Sequence, residues 1–245
     1  MNKIDDLIKG TWKEKHKKVI EEVLQFINNS SPDYILKGGT SLMECYGLNR
    51  FSEDIDFDST NKNTIYTIID NLAKKYGYNV RIAKDTDTVK RFMIDYGGKN
   101  EYGDKPLKVE ISYRKKNIAA NEIVTINGIN VYNLDMIAIM KSGAYSSRDK
   151  IRDLYDLTFL VNNKLDQLNP FVIETIRNAL ESKGIEQFDY ITQTQSDDLI
   201  DNDIFAEMFL NAFDKLNLIS DKDNKYEQIQ NKTNMQDDIN EDIEL

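Results

Sequence analysis

Apolar positions at helical spacing mark residues 11–28, "TWKEKHKKVIEEVLQFIN", where Trp12, Val19, Val23, Phe26 and Ile27 fall along one side. "DYILKG" reads as a short strand closed by glycines. "TSLMECYG" reads as a short helix with Thr40 near its N-cap and Gly47 at its C-terminal end. "DIDFD" alternates and reads as a strand. "NTIYTIIDNLAKKYGY" is a helix capped by Asn63 or Thr64 and stopped by Gly77. Strands follow at 78–83, 88–96 and 107–113, the last two separated by the turn-rich "GGKNEYGDKP". Residues 123–131, "IVTINGINV", form a hairpin on Asn127-Gly128. Beyond about residue 133 the spacing is helical only, over 134–145, 149–162, 170–182 and 196–217.

Strands and helices mixed early, then helices alone, predict an α+β protein. A mixed α/β domain would span 1–132 and a helical domain 133–220, with an acidic, flexible or docking tail at 221–245. No internal repeat interrupts this order.

Charge changes the picture in one respect. The 245 residues are 40% hydrophobic and 30% charged, with a formal net charge of −10. Residues 195–245 alone hold 14 acids and 4 lysines, so the first 194 residues balance to zero. A local basic patch on the body is compatible with that total. No apolar run approaches a membrane span, and the N-terminus lacks the apolar core of a signal peptide. The single cysteine, Cys45, has no disulfide partner in the chain, and a cytoplasmic protein with no membrane association is expected.

The chemistry concentrates in "LKGGTSLMECYGLNRFSEDIDFD", residues 36–58. On a strand, Asp54, Asp56 and Asp58 share one face and Ile55 and Phe57 the other. In "LKVEISY", Lys108, Glu110 and Ser112 likewise oppose Leu107, Val109, Ile111 and Tyr113. If the two strands are neighbours, Glu110 joins the aspartates. Like charges so close repel, so they need a cation or water between them. Clustered carboxylates suit a hard cation such as Mg²⁺ or Mn²⁺. A solvated sheet face is the plainer alternative. A calcium loop fails, because Ser59 and Ile65 stand where that loop needs glycine and glutamate. Gly38-Gly39 ahead of a helix offers backbone N–H groups to a phosphate, although no Walker lysine follows. A phosphate cradle followed closely by a metal site points to metal-assisted phosphoryl or nucleotidyl transfer.

"LKGGTSL" followed by "RFSEDIDF" resembles the signature of DNA polymerase β-type nucleotidyltransferases, in particular the AbiEii/AbiGii toxin branch of abortive-infection and type IV toxin–antitoxin systems. "MIAIMKSGAYSSRDKIRDLYDLTFL", residues 136–160, is similar to that branch's later motif. The resemblance implies a nucleotidyltransferase-fold mixed sheet with flanking helices. It implies that Gly38, Gly39 and Thr40 or Ser41 hold the nucleotide phosphates. Asp54 and Asp56 would bind two metal ions with Glu110 as third carboxylate. Lys141 would lie near the triphosphate, and Asp153 and Asp156 match the paired acids of R-D-x-x-D-L. Arg50 would serve the phosphates or neutralise Asp54. The implied activity is NMP transfer from an NTP to an RNA hydroxyl, with a tRNA end as candidate acceptor and a cognate antitoxin as partner. The alternatives are an antibiotic-modifying enzyme of the aminoglycoside type and a non-catalytic binding partner with the same fold.

Helical geometry places Asp149, Arg152, Asp153 and Asp156 on one face, read as surface or cleft, opposite an apolar stripe through Ile151, Leu154 and Leu157. His16 is expected on the surface, and Cys45 packed inside.

Overall fold

The alternation in the two carboxylate-bearing segments is the organising feature of the fold. A computed structural model describes residues 3–219 apart from 199 and 201. In chain order, α1 (Lys3–Ile8) and α2 (Trp12–Ser30) lead into β1 (Ile35–Lys37), α3 (Gly38–Tyr46), β2 (Ile55–Asp58) and α4 (Ile65–Tyr76). β3 (Asn79–Asp85) and β4 (Val89–Asp95) are followed by the tiny hairpin β5 (Lys99–Asn100) and β6 (Gly103–Asp104). Then come β7 (Leu107–Ser112), β8 (Ile123–Ile126) and β9 (Ile129–Tyr132). Five helices complete the described chain: α5 (Leu134–Ser147), α6 (Ile151–Lys164), α7 (Pro170–Glu181), α8 (Glu186–Thr194) and α9 (Asn202–Lys215).

Seven strands form one mixed sheet in the order β3-β4-β7-β2-β1-β9-β8. β2 runs parallel to β7, and Asp56 lies directly beside Glu110. β1 is antiparallel to β2, with Lys37 beside Asp56, and parallel to β9. One face of the sheet carries Phe92, Ile94, Val109 and Ile111, all buried, and α2 and α4 pack in this layer. α2 supplies Val19, Ile20, Val23, Leu24 and Ile27; α4 supplies Ile65, Ile68, Ile69 and Leu72. That is the amphipathic spacing of both helices turned into burial.

The late helices pair as α5 with α7, α5 with α6 and α6 with α9. Tyr155, Phe188, Phe205, Phe209 and Phe213 stack into an aromatic seam there. α5 also touches α3 and β9, and one hydrophobic core runs from Ile4 to Leu216 across the point where strands give way to helices. The acidic tail at 221–245 lies outside the described residues. Among the described residues no helix is long and apolar enough to cross a membrane.

Most local signals hold. Gly47 and Gly77 close their helices in the left-handed conformation, and Asn127 and Gly128 form the turn with φ of 52° and 79°. Three details differ. α3 starts at Gly38, so both glycines belong to the first turn of the helix. The turn-rich connection contains β5 and β6. α1 and α8 form where the sequence reading placed no helix: α1 is a short helix that buries Ile4 and Ile8, and α8 buries only Ile191.

Candidate active site

α3 meets β2 so closely that the chain there has no room for side chains. Gly38 has φ of +80°, which favours glycine, and a Cβ on it would stand 3.2 Å from Asp56 Oδ2. A Cβ on Gly39 would stand 2.7 Å from Ser52 Oγ and 3.0 Å from Arg50 Nη2. The pair therefore does more than turn the chain: it lets a helix N-terminus approach a carboxylate-bearing strand. Thr40 and Ser41 are buried, with inward hydroxyls. Thr40 Oγ1 donates to the Asp54 carbonyl and can accept from Ser52 Oγ at 3.0 Å, and Ser41 Oγ donates to the Gly38 carbonyl at 2.7 Å. An anion at this helix end would meet backbone N–H groups, not these hydroxyls.

The acids divide into three environments. Asp54 lies just before β2 and pairs with Lys108 at 2.6 Å. Glu110 accepts from Arg91 Nε at 2.7 Å, with Nη2 at 2.6 Å. Asp56, between them, has no hydrogen bond or ion pair among the described residues. Burial raises its pKa above the usual carboxylate range; Asp54 and Glu110 add to this, while Lys108 and Lys37 oppose it. Asp58 departs from the expected cluster. It is 3% exposed at the buried end of β2, held by Lys37 at 2.5 Å and by the Tyr132 hydroxyl at 3.0 Å.

Among the described residues no three His, Cys, Asp or Glu side chains stand together as a metal cage. The donor chemistry of Asp54, Asp56 and Glu110 nevertheless fits a hard divalent ion. All are carboxylates, Asp56 has no direct ion pair among the described residues, and Lys108 and Arg91 occupy oxygens of Asp54 and Glu110 that an ion would take.

Asp56 and Glu110 open into a cleft of about 460 Å³, walled by Lys37, Gly38, Arg114, Ile137, Met140, Lys141, Ala144, Arg148 and Asp153. Lys141 on α5 reaches Asp156 Oδ2 at 2.5 Å and Asp153 Oδ1 at 4.0 Å. Asp153 accepts from Arg148 at 2.6 and 3.2 Å. Arg50 clasps Asp156 with two bonds of 2.8 Å. The set expected on one charged face of α6 is therefore split. Asp153 lines the cleft. Asp156 has no exposure and lies beneath it. Arg152 pairs with Asp197 and Glu53, and Asp149, ahead of the helix, pairs with Lys183. Arg50 is 3% exposed under Gly39, where it neutralises Asp156 rather than Asp54 or a phosphate. Lys37, Arg114 and Arg148 escaped the sequence reading as cleft residues. Arg148 stands in the motif's arginine-bearing turn, while nothing local distinguishes Lys37 or Arg114 from surface cations.

His16 is not at the surface, where its lysine-rich helix would put it. It is wholly buried among Trp12, Phe51 and Tyr96. Nε2 lies 2.8 Å from the Glu53 carbonyl, which can only accept, so Nε2 carries the proton. Nδ1 then accepts from the Tyr96 hydroxyl at 2.5 Å. Burial, helped by Asp95 and Glu53, pushes that hydroxyl up to about 12, so it keeps its proton. Burial lowers the His16 pKa below 6.5, the Glu53 carbonyl opposing. A depressed folded value means that the unfolded chain binds the proton first, so stability is present above the unfolded pKa and is lost as pH falls through the folded one. Glu44 works the other way, its pKa raised by burial to about 7. The comparison that isolates His16 is the melting-temperature gap between wild type and His16→Gln. That gap should be wider at pH 7 than at pH 5, and an unchanged gap would show that His16 does not titrate there.

The geometry has counterparts. The family described as nucleotidyl transferase AbiEii toxin, Type IV TA system, matches residues 26–237. The structure of JHP933 from Helicobacter pylori is similar at 27% identity and TM-score 0.68, covering 91% of this chain and 97% of that one. A putative nucleotidyltransferase from H. pylori is similar at 29% identity and TM-score 0.69, covering 86% and 96%. MenT4, a nucleotidyltransferase toxin from Mycobacterium tuberculosis, shares the fold at 14% identity and TM-score 0.52, covering 88% and 87%. No protein of curated function matches the sequence. With the family signature spanning most of the chain and Gly38, Asp56, Glu110, Lys141 and Asp153 gathered at one cleft, the protein belongs to the AbiEii family of type IV toxin–antitoxin nucleotidyltransferases.

Proposed function

We propose that the enzyme transfers NMP from an NTP to a hydroxyl of an RNA acceptor, a tRNA end being the first candidate, and that a cognate antitoxin restrains it. The observation that carries this reading is Asp56, unpaired and pressed between Gly38 and Glu110 on the floor of a cleft walled by Lys37, Arg114, Lys141 and Arg148. The cations suit a triphosphate. The backbone N–H groups of Gly39 and Thr40, in the first turn, add the positive end of α3. Lys141, anchored from below by Asp156, is held where a phosphate oxygen would meet it.

In the reaction the acceptor oxygen bonds to the α-phosphorus, the bond to the bridging oxygen of the β-phosphate breaks, and pyrophosphate leaves. Asp54, Asp56 and Glu110 would hold the metal, as two Mg²⁺ or Mn²⁺ ions. Bound there, the metal would acidify the attacking hydroxyl and neutralise charge on the leaving group. Glu110 would receive the hydroxyl proton, and Asp153 fixes Arg148 at the cleft wall, where it would face the phosphates.

Labelled NTPs incubated with Mg²⁺ and either total tRNA or aminoglycosides distinguish this reading from antibiotic modification; label on the aminoglycoside alone would overturn it. Calorimetry gives a further check. NTP should bind with Mg²⁺ at least tenfold more tightly than in EDTA, about 1.4 kcal/mol. Equal affinity in both would remove the metal from the site.

A further inference from the structure

We propose that the open face of β3, β4 and β7 is a docking track for the acceptor, a single-stranded polynucleotide held by its phosphodiester backbone. The proposal rests on the nucleotidyl-transfer reading above and names where the second substrate lies. Phe92, Ile94, Val109 and Ile111 turn to the helical layer, so Arg91, Met93, Lys108 and Glu110 take the opposite face. Two cross-strand rows lead outward over that face. One runs from Asp56 through Glu110 and Arg91 to Lys84. The other runs from Lys108, which holds Asp54, through Met93 to Arg81. At about 4.8 Å per strand, Lys84 lies ~14 Å from Asp56.

Charge selects the occupant. The chain is acidic overall, yet four cations stand on these two rows. Lys108 and Arg91 are shared with the site's own carboxylates, whereas Arg81 and Lys84 have no ion pair or side-chain hydrogen bond among the described residues. Beside Arg81 lies a depression of about 420 Å³ lined by Asn79, Val80, Met93, Asp95, Asp104 and Pro106. A polarisable thioether and a guanidinium plane there suit the flat face of a base. A polycationic small molecule would be repelled by Arg81 and Lys84, whereas spaced phosphates would be attracted. The rows lead to Asp56 and Asp54, so a strand lying along them brings its terminal hydroxyl to the carboxylates.

The test uses the full chain and an Arg81→Gln/Lys84→Gln double variant. Both side chains lie on the outermost strand, and the melting temperature should confirm an intact fold. The probe is a fluorescent single-stranded RNA of mixed sequence, titrated over a range of KCl. Each phosphate contact on a single strand contributes about 0.7 to the log–log salt slope, so the slope should become shallower by about 1.4 and affinity at 0.1 M salt should fall about 25-fold. Mg²⁺–NTP affinity should stay within twofold, because neither residue touches the cleft. If wild type binds the RNA and the variant shares its affinity and slope, the track is wrong and the acceptor reading stands. If wild type binds no RNA, both fall.

Discussion

Asp56→Asn should eliminate nucleotidyl transfer and leave the protein folded. Asparagine keeps the size of the side chain and removes the charge that would hold the metal. Asp56 is the acid for this role because its neighbours are already engaged: Asp54 with Lys108, Glu110 with Arg91, Asp58 with Lys37. Only Asp56 stands without an ion pair among them, against Gly38. Loss of about 4 kcal/mol of transition-state stabilisation corresponds to a fall of roughly a thousandfold in rate. The fold should persist, since the substitution relieves repulsion from Asp54 and Glu110 and removes a charge that burial disfavours. Transfer of label from NTP to RNA measures the first part, and the unfolding transition measures the second. Expression in a bacterial host adds a third readout: wild type should arrest growth, while the folded variant should not. Transfer by a folded variant within tenfold of wild type would mean that another group carries the metal or that the reaction needs none.

The sequence showed the site's strands better than its depth. Alternation in residues 54–58 and 107–113 was enough to put Asp56 and Glu110 on the polar faces of their strands, because period two has only two solutions and the apolar set chooses one, but that β2 and β7 are neighbours comes from the strand pairing. The glycine pair signalled a close approach, but what approaches it, Asp56 and Ser52, is a tertiary fact. Asp156 and Arg50 were legible as motif residues and illegible as a buried pair. Charged residues on a helix face read as solvated, and only the docking of α6 against the loop before β2 reverses that. His16 failed for the same reason: a lysine-rich helix face hides one position turned inward to Tyr96 and the Glu53 carbonyl. The open face of β3 and β4 was invisible because its meaning depends on strand order, which local pattern does not encode.

The largest effect on stability is expected from Asp156→Asn. Asp156 is unexposed, receives two hydrogen bonds from Arg50, itself 3% exposed, and a third from Lys141. Burial by itself would raise its pKa, but Arg50 and then Lys141 outweigh burial and hold it below the ordinary carboxylate value. Its ionised form therefore supports the fold above the unfolded pKa of about 3.9, and that support is lost as pH falls through the lower folded value. Removing the charge strands Arg50 in the interior. Breaking one side of a buried pair costs about 3–5 kcal/mol, whereas replacing both partners by apolar groups of similar size is often neutral. The single variant should thus melt on the order of 10 °C lower. Arg50→Met/Asp156→Leu should recover most of that loss, since Lys141 retains Asp153 at 4.0 Å. The same double variant should remain poor in catalysis, because Lys141 loses the contact that fixes it at the cleft. A melting temperature unchanged in Asp156→Asn would mean that water reaches Arg50. A double variant no more stable than the single one would mean that the cost is packing rather than an uncompensated charge.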